Sequence, residues 1–466
     1  MSVRSATWIA LLCSCRLFAG TDYFKIQVVD DQTGRGVPLI ELRTVNNISH
    51  WTDSAGVIAF HEPGLMNREV YFHVQGHGYT YPKDFFGNRG VRLTPTSGGS
   101  ATVKMKRVNI AERLYRVTGQ GIYRDTLLLG EKPPIREAAL NGEVMGQDTV
   151  IVTPYRGKLY WFWGDTDRPS YPLGNFGSSG ATSELTDDPA VGVNLRYFTN
   201  ESGFSKPMCP QPKEGLRWIE CLMTLPDSNG VERLVARVAR HKNLGEIYDW
   251  HLMIFNDDKQ EFESVKRWDV QEPHDSAHPF RARVDGVDYI FIYPNYRVKA
   301  ESSALYDLDN YEAFDGTTWK RGAKRKRAPI PSKDVETEKE VQLGRGSVCW
   351  NAFRKRWIMI ASAKAGEIWY SEARSPLGPW NYACKIVSHD NYNFYNPTQH
   401  PFFDQEGGRI IYFEGTYTAS FSGAKAKTPR YDYNQIMYRL ALDDPRLKLP
   451  EPATESVGGV IEPLFQ

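Results

Sequence analysis

The chain has 466 residues, with 57 Lys and Arg against 56 Asp and Glu, for a net charge of +1. That balance argues against nucleic acid as the main partner. Aromatic residues make up 13% of the chain, including 12 Trp and 25 Tyr; such flat apolar faces suit sugar rings and also fill β-sheet cores.

Residues 1–20, MSVRSATWIALLCSCRLFAG, read as a signal peptide. Arg4 supplies the positive start, and the apolar run Ala6 to Cys15 is too short to span a bilayer. Leu12-Cys13-Ser14-Cys15 resembles a bacterial lipoprotein box, which makes Cys15 a candidate lipid anchor. No later segment is long and apolar enough for a transmembrane helix. The expected product is therefore exported: periplasmic, tethered to an outer membrane, or secreted. Four cysteines follow the leader, Cys209, Cys221, Cys349 and Cys384, and none forms a CxxC pair. That spacing argues against a zinc ribbon or a thioredoxin-type site. An oxidising compartment permits a Cys209–Cys221 bridge, and buried free thiols are the alternative.

Residues 21–107 read as a small all-β domain. FKIQVVD from Phe24 alternates apolar and polar with period two, as a half-buried strand does. DQTGRGVP is a turn-rich connection, LIELRTV a second strand, and WTDSAGVIAF a turn leading into a third. EVYFHVQGHGY and ATVKMKR complete the set. The order of Asp30, Thr33-Gly34, Val37-Pro38, Thr52-Asp53 and Gly56 resembles the carboxypeptidase regulatory-like (transthyretin-like) β-sandwich. That resemblance implies an accessory module without chemistry of its own. Residues 108–132 read as a connector, able to supply a strand that closes the following unit.

From residue 133 a hairpin theme repeats. Copies start near Asp148, Ile219-Glu220, His278, Ser347 and His400. In four of them a turn glycine (Gly157, Gly230, Gly286, Gly408) lies five residues before an apolar strand residue. His-Pro-Phe occurs in the third and fifth copies. The mean spacing of about 63 residues suits a four-stranded sheet with irregular loops, and five such units fill residues 133–466. The expected fold class is all-β: a five-bladed β-propeller preceded by a small β-sandwich. One twisted sheet cannot bury both its faces, whereas five packed radially can, leaving a central funnel. An elongated double sandwich is the alternative. The run Lys320 to Arg327 precedes the acidic stretch Asp334 to Glu340 and reads as a solvated loop or an anionic-polymer contact.

Two further motifs carry family resemblance. Glu367 to Trp380, EIWYSEARSPLGPW, resembles the outer strands of a blade in five-bladed propeller glycosidases of the arabinanase and β-xylosidase group. Gly146-Gln147-Asp148, Trp163-Gly164-Asp165-Thr166 and Asn396-Pro397 are similar to the pattern of a broader propeller family that includes endo-D-arabinanases. These resemblances imply a glycoside hydrolase acting on a complex polysaccharide and leave the sugar open.

Asp148 and Asp165 stand at the open ends of one expected hairpin, where residues come close together. A converging carboxyl pair is what glycosidic cleavage uses. The expected catalytic residues are Asp148 as nucleophile or base, Asp165 as acid partner or tuner, and Glu220 as the fallback acid. His278, His400, Arg345 and Asp275 are the expected substrate-binding residues, Arg345 toward an anionic substituent. Each has a structural alternative: Asp148 and Asp165 as turn or strand caps, Glu220 paired with Arg217, the histidines bonding backbone between blades, Arg345 bridging a neighbouring blade. No cofactor is expected, apart from a structural calcium for which the oxygen ligands cannot be counted in sequence. The competing functions are a propeller that binds carbohydrate or protein without turnover, and a polysaccharide lyase using His278, a tyrosine and Arg345. No Gly-x-Ser-x-Gly, Walker-type or His-Glu-x-x-His motif points elsewhere.

Overall fold

The computed structural model describes residues 22–210, 214–269, 277–322, 329–452 and 458–464. Residues 1–21, read above as mostly a signal peptide with Cys15, together with Asp275 and most of the basic run at 320–327, lie outside the described residues. Among those described, strands dominate and no helix is long and apolar enough to cross a membrane.

Two four-stranded sheets face each other at the N-terminal end. One runs Val57–Phe60, Phe24–Asp30, Ser100–Arg107, Tyr79–Thr80; the other Ser49–Trp51, Glu41–Thr44, Val70–Gln75, Gly90–Leu93. Phe24–Asp30 alternates buried and half-buried residues along its length. Its inward Ile26 and Val28 meet Leu42, Phe72 and Val74 of the opposite sheet in a shared core.

Six further sheets follow among the described residues: a small one of Gly146–Gln147, Thr166–Arg168 and Tyr171–Asn175, and five larger ones. The first contains Ile151–Tyr155, Lys158–Trp163, Ser179–Glu184 and Arg196–Tyr197. The second contains Leu216–Pro226, Glu232–His241, Ile247–Asn256 and Glu261–Trp268. The third begins with Phe280–Val284 and Val287–Tyr293, and the C-terminal strand Ile461–Pro463 adds to Phe280–Val284. The fourth is built on Gly346–Asn351, Arg356–Ser362, Glu367–Ala373 and Tyr382–Ser388. The fifth is built on Asn393–Gln399, Ile410–Thr418 and Asn434–Ala441.

The apolar cores show that these sheets form a ring. Phe162 of the first sheet packs with Leu222 and Val238 of the second. Trp250 and Leu252 of the second pack with Ile290 and Tyr296 of the third. Phe280 and Phe291 of the third pack with Trp357 and Trp369 of the fourth. Ile358 and Tyr370 of the fourth pack with Phe394 and Phe413 of the fifth. The circle closes where Tyr412 and Met437 of the fifth meet Leu159 and Trp161 of the first. Each sheet buries both faces, which is the physical condition for a propeller.

The connector supplies a strand to the ring: Glu112–Arg116 pairs with Asn434–Ala441 as the fourth strand of the fifth sheet. The inner strand of that sheet is Asn393–Gln399, and the Pro401–Phe403 segment after it is a single 3₁₀ turn. The repeat alignment had placed His400 at the strand start, whereas it follows the strand's end. That strand carries a bulge between Tyr395 and Thr398, with Asn396 in the left-handed region (φ 48°). Cys209 and Cys221 are both free and buried, so they are not bridged.

The closing strand also clamps the sandwich. Arg113, 1% exposed, donates through Nε to Pro38 O at 3.0 Å and through Nη1 to His77 O at 3.0 Å. Arg113→Ala strands buried carbonyls of the sandwich without a donor. It is expected to lower the unfolding free energy by about 3 kcal/mol, measured by denaturant titration against wild type.

Candidate functional site

Gln147 pairs with Thr166, and Ile151 pairs with Phe162. Asp148 and Asp165 therefore sit opposite each other where the ladder opens between a small three-stranded extension and the first ring sheet. The Gly164 amide donates to Asp148 O at 2.8 Å. A Cβ on Gly164 would lie 2.2 Å from Asp148 Oδ1, so only glycine leaves room for the carboxylate to close on the Asp165 strand.

Other sheets add to this end of the ring. Tyr395 of the fifth sheet donates its hydroxyl to Asp148 Oδ2 at 2.6 Å. Tyr433, before the third strand of the same sheet, brings its hydroxyl to the same carboxylate, where it favours the charged form. Trp218 of the second sheet donates Nε1 to Asp165 Oδ1 at 2.9 Å. Arg345, before the inner strand of the fourth sheet, donates to Asn396 Oδ1 at 3.1 Å, and Asn396 Nδ2 donates to Thr149 Oγ1 at 2.7 Å. Asp148, Asp165, Trp218, Arg345, Tyr395 and Tyr433 are all half-buried, packed on protein yet reachable from solvent.

The backbone is strained at this end. Thr149, Asn396 and Tyr433 all have positive φ (52°, 48° and 59°). For a β-branched threonine this region is disfavoured by about 1–3 kcal/mol. Thr149 is held there by its N–H donating to Thr416 Oγ1 at 2.9 Å and by the bond from Asn396.

The two carboxyls have different surroundings. Burial pushes Asp165 up to about 7, and the neighbouring Asp148 charge pushes in the same direction, against the Trp218 hydrogen bond. Burial also raises Asp148, but hydroxyls of Tyr395, Tyr433 and Thr149 and the Asp165 backbone N–H all favour its charged form. The pair titrates as a coupled unit, with one hydrogen bond opposing the burial of Asp165 and four opposing that of Asp148.

The remaining expected residues are placed as follows. Glu220 lies on the second sheet, 4% exposed, with Oε1 3.5 Å from His241 Nε2. The His241 ring packs 4.4 Å from that of Trp218, which puts Glu220 behind the Trp218 wall. His278 lines an axial cavity of about 650 Å³ with Thr153, Ser347, Gln399 and Asp404; neither Asp148 nor Asp165 lines it. Burial and then the proximity of His400 lower His278 to about 3, so it is neutral at physiological pH. The assignment of His400 to a substrate-binding mouth is corrected. It is fully buried, its Nε2 is 2.9 Å from Glu414 Oε1, and both side chains have 0% exposure. It packs on Trp161 and Phe403 between the fifth and first sheets, out of reach of a polymer. Asp275 lies outside the described residues. Among the described residues no three His, Cys, Asp or Glu side chains converge to hold a metal ion.

Sequence reasoning missed Trp218, Tyr395 and Tyr433. Asn396-Pro397 had marked the opening of the last sheet, and Tyr395 is its immediate neighbour. Trp218 and Tyr433 carry no local signal.

No family model matches this chain, and no curated protein matches it. Solved structures similar to it include a Bacteroides ovatus protein assigned as a hydrolase, at 10% identity and a TM-score of 0.41, covering 64% of this chain and 86% of that one. An exo-β-1,3-galactanase from Phanerochaete chrysosporium follows at 12% identity and 0.37, covering 76% and 71%. An α-L-arabinanase from Penicillium chrysogenum follows at 11% and 0.36, covering 72% and 99%. All three scores fall below 0.5, so the ring described above stands on this chain's own strand pairing and cores.

A carboxyl whose folded pKa is raised contributes stability below its unfolded pKa and loses it as pH rises through the folded value. For Asp165 that window runs from about pH 4 to about pH 7. Asp165→Asn, neutral throughout, is expected to be more stable than wild type by about 2 kcal/mol at pH 8. The advantage should fade toward pH 4, as read by thermal unfolding at both pH values.

Proposed function

We propose that this chain is an exported glycoside hydrolase acting on a complex polysaccharide, with Asp165 as general acid and Asp148 as nucleophile or base. The observation that carries the reading is the facing pair with split environments. Burial raises both carboxyls; a like charge adds to this at Asp165, while hydroxyl donors from Tyr395, Tyr433 and Thr149 oppose it at Asp148. Pairs tuned apart in this way are how acid and base roles are divided at one pH. Asp165 near 7 keeps an appreciable protonated fraction at neutral pH, ready to protonate a leaving glycosidic oxygen. Asp148, held by Tyr395, is oriented to attack the anomeric carbon or to activate water. The half-buried faces of Trp218, Tyr395 and Tyr433 offer stacking surfaces for sugar rings. Arg345 is suited to an acidic or hydroxyl substituent. Glu220 is the reserve acid, behind Trp218. The apolar leader at residues 1–20 supports export, with Cys15 as the lipid-tether candidate.

The lyase alternative asks His278 to work beside a tyrosine and Arg345. His278 lines the axial cavity, and Arg345 does not. The tyrosine nearest the acids bonds Asp148.

A panel of plant and bacterial polysaccharides with product analysis tests the proposal. Asp148→Asn and Asp165→Asn are each expected to reduce turnover by about 10²-fold or more, and equal product from wild type and Asp148→Asn would remove Asp148 from the mechanism. The wild-type rate should fall as pH rises through about 7, where Asp165 loses its proton. Trp218→Phe removes the donor that favours the Asp165 anion, so it should move that alkaline limb to higher pH.

A further inference from the structure

The segment that delivers Tyr433 to the acids is held from the other side by the N-terminal sandwich. Tyr431 is 3% exposed. Its hydroxyl donates to Thr52 O at 2.7 Å and accepts from Leu39 N at 3.2 Å, both in the sandwich. The Arg116 guanidinium of the closing strand lies 5.1 Å from the Tyr431 ring centre, and the Arg116 amide donates to Ser54 Oγ at 3.1 Å. Tyr431 is thus fixed by the sandwich and by the strand that closes the ring.

Two residues later the chain turns into the site. Asp432 Oδ1 accepts from Tyr392 Oη and from the Ala419 amide, both at 2.6 Å, which stiffens the segment between Tyr431 and Tyr433. Arg430 and Tyr433 both lie in the left-handed region, at φ 62° and 59°, so this is a tight reversal that must be held from outside. Tyr433 O accepts the Gln147 amide at 2.8 Å, one residue before Asp148, and its side chain contacts the Asp148 carboxylate.

We infer that the sandwich is a working part of the catalytic site, with Tyr431 as a positioning residue that sets the place of Tyr433 against Asp148 through its bond to the Thr52 carbonyl. This rests on the hydrolase reading for its purpose but not for its geometry. The physical logic is short-range. The strained reversal has few stable placements, and removing one external bond lets Tyr433 relax away from the acid. The carboxylate then loses a donor that favours its charge.

The test needs no substrate. The full-length protein, with ¹³C-labelled aspartate carboxyls assigned through Asp148→Asn and Asp165→Asn, is titrated by NMR as wild type, Tyr433→Phe, Tyr431→Phe and the double variant. Tyr433→Phe is expected to raise the lower step of the coupled titration by about one pH unit. Tyr431→Phe should reproduce much of that shift, and the double variant should add little to Tyr433→Phe alone. A Tyr431→Phe protein that melts earlier but titrates like wild type would overturn the inference, since a purely structural hydroxyl moves stability and leaves the acids alone. Additive shifts in the double variant would overturn it too. Should Tyr431→Phe fold poorly, Arg116→Lys weakens the hold on the Tyr431 ring from the other side and carries the same expectation. Absence of turnover on any polysaccharide would count against the hydrolase reading while the titration still decides the positioning role.

Discussion

Closure of the ring is the constraint on which everything else rests. The first and fifth sheets stand at opposite ends of the ring's sequence, yet Tyr412 and Met437 pack on Leu159 and Trp161. A strand from the connector, Glu112–Arg116, completes the last sheet. This joins an early segment to a late one, and the same segment carries Arg113 and Arg116, which grip the sandwich. Without that seam the fifth sheet would expose an edge, and Tyr395 and Asn396 would have no fixed relation to Asp148.

The site follows from this closure. Asp148 and Asp165 are local partners in one hairpin, but their chemistry is set by residues from elsewhere in the ring. Tyr395 comes from the fifth sheet, Trp218 from the second and Arg345 from before the fourth, the last relayed through Asn396 to Thr149. Splitting the affinities of two carboxyls for a proton requires different donors on each. A ring delivers donors from different sheets to adjacent atoms. The left-handed conformations of Thr149, Asn396 and Tyr433 are the local cost of aiming those groups, held by bonds across sheet boundaries.

Partly exposed acids beside half-buried aromatic faces make one end of the ring polar and accessible. The axial cavity lined by His278, Gln399 and Asp404 has a different character, with Trp350, Phe280 and Phe402 among its walls. The two histidines that the repeat pattern matched are close to each other but face different ways: His278 lines this cavity, and His400 is locked to Glu414 in an inter-sheet core. Sequence similarity between repeats reports shared strand geometry, and a repeated motif serves whatever neighbours the fold supplies.

The sequence by itself determined the strands, the turns and the closeness of Asp148 to Asp165. These depend on period-two alternation and turn residues a few positions apart, as in Phe24–Asp30 and in the hairpin around Gly157. Only the tertiary structure decided which way Tyr433 and Trp218 face, that the connector joins the ring, that His400 is sealed away, and that the sandwich touches the loop behind the acids. Those outcomes come from contacts between residues tens to hundreds of positions apart, such as Tyr431 with Thr52 and Tyr395 with Asp148. No local pattern encodes such pairings, because they exist only once the sheets have closed on one another.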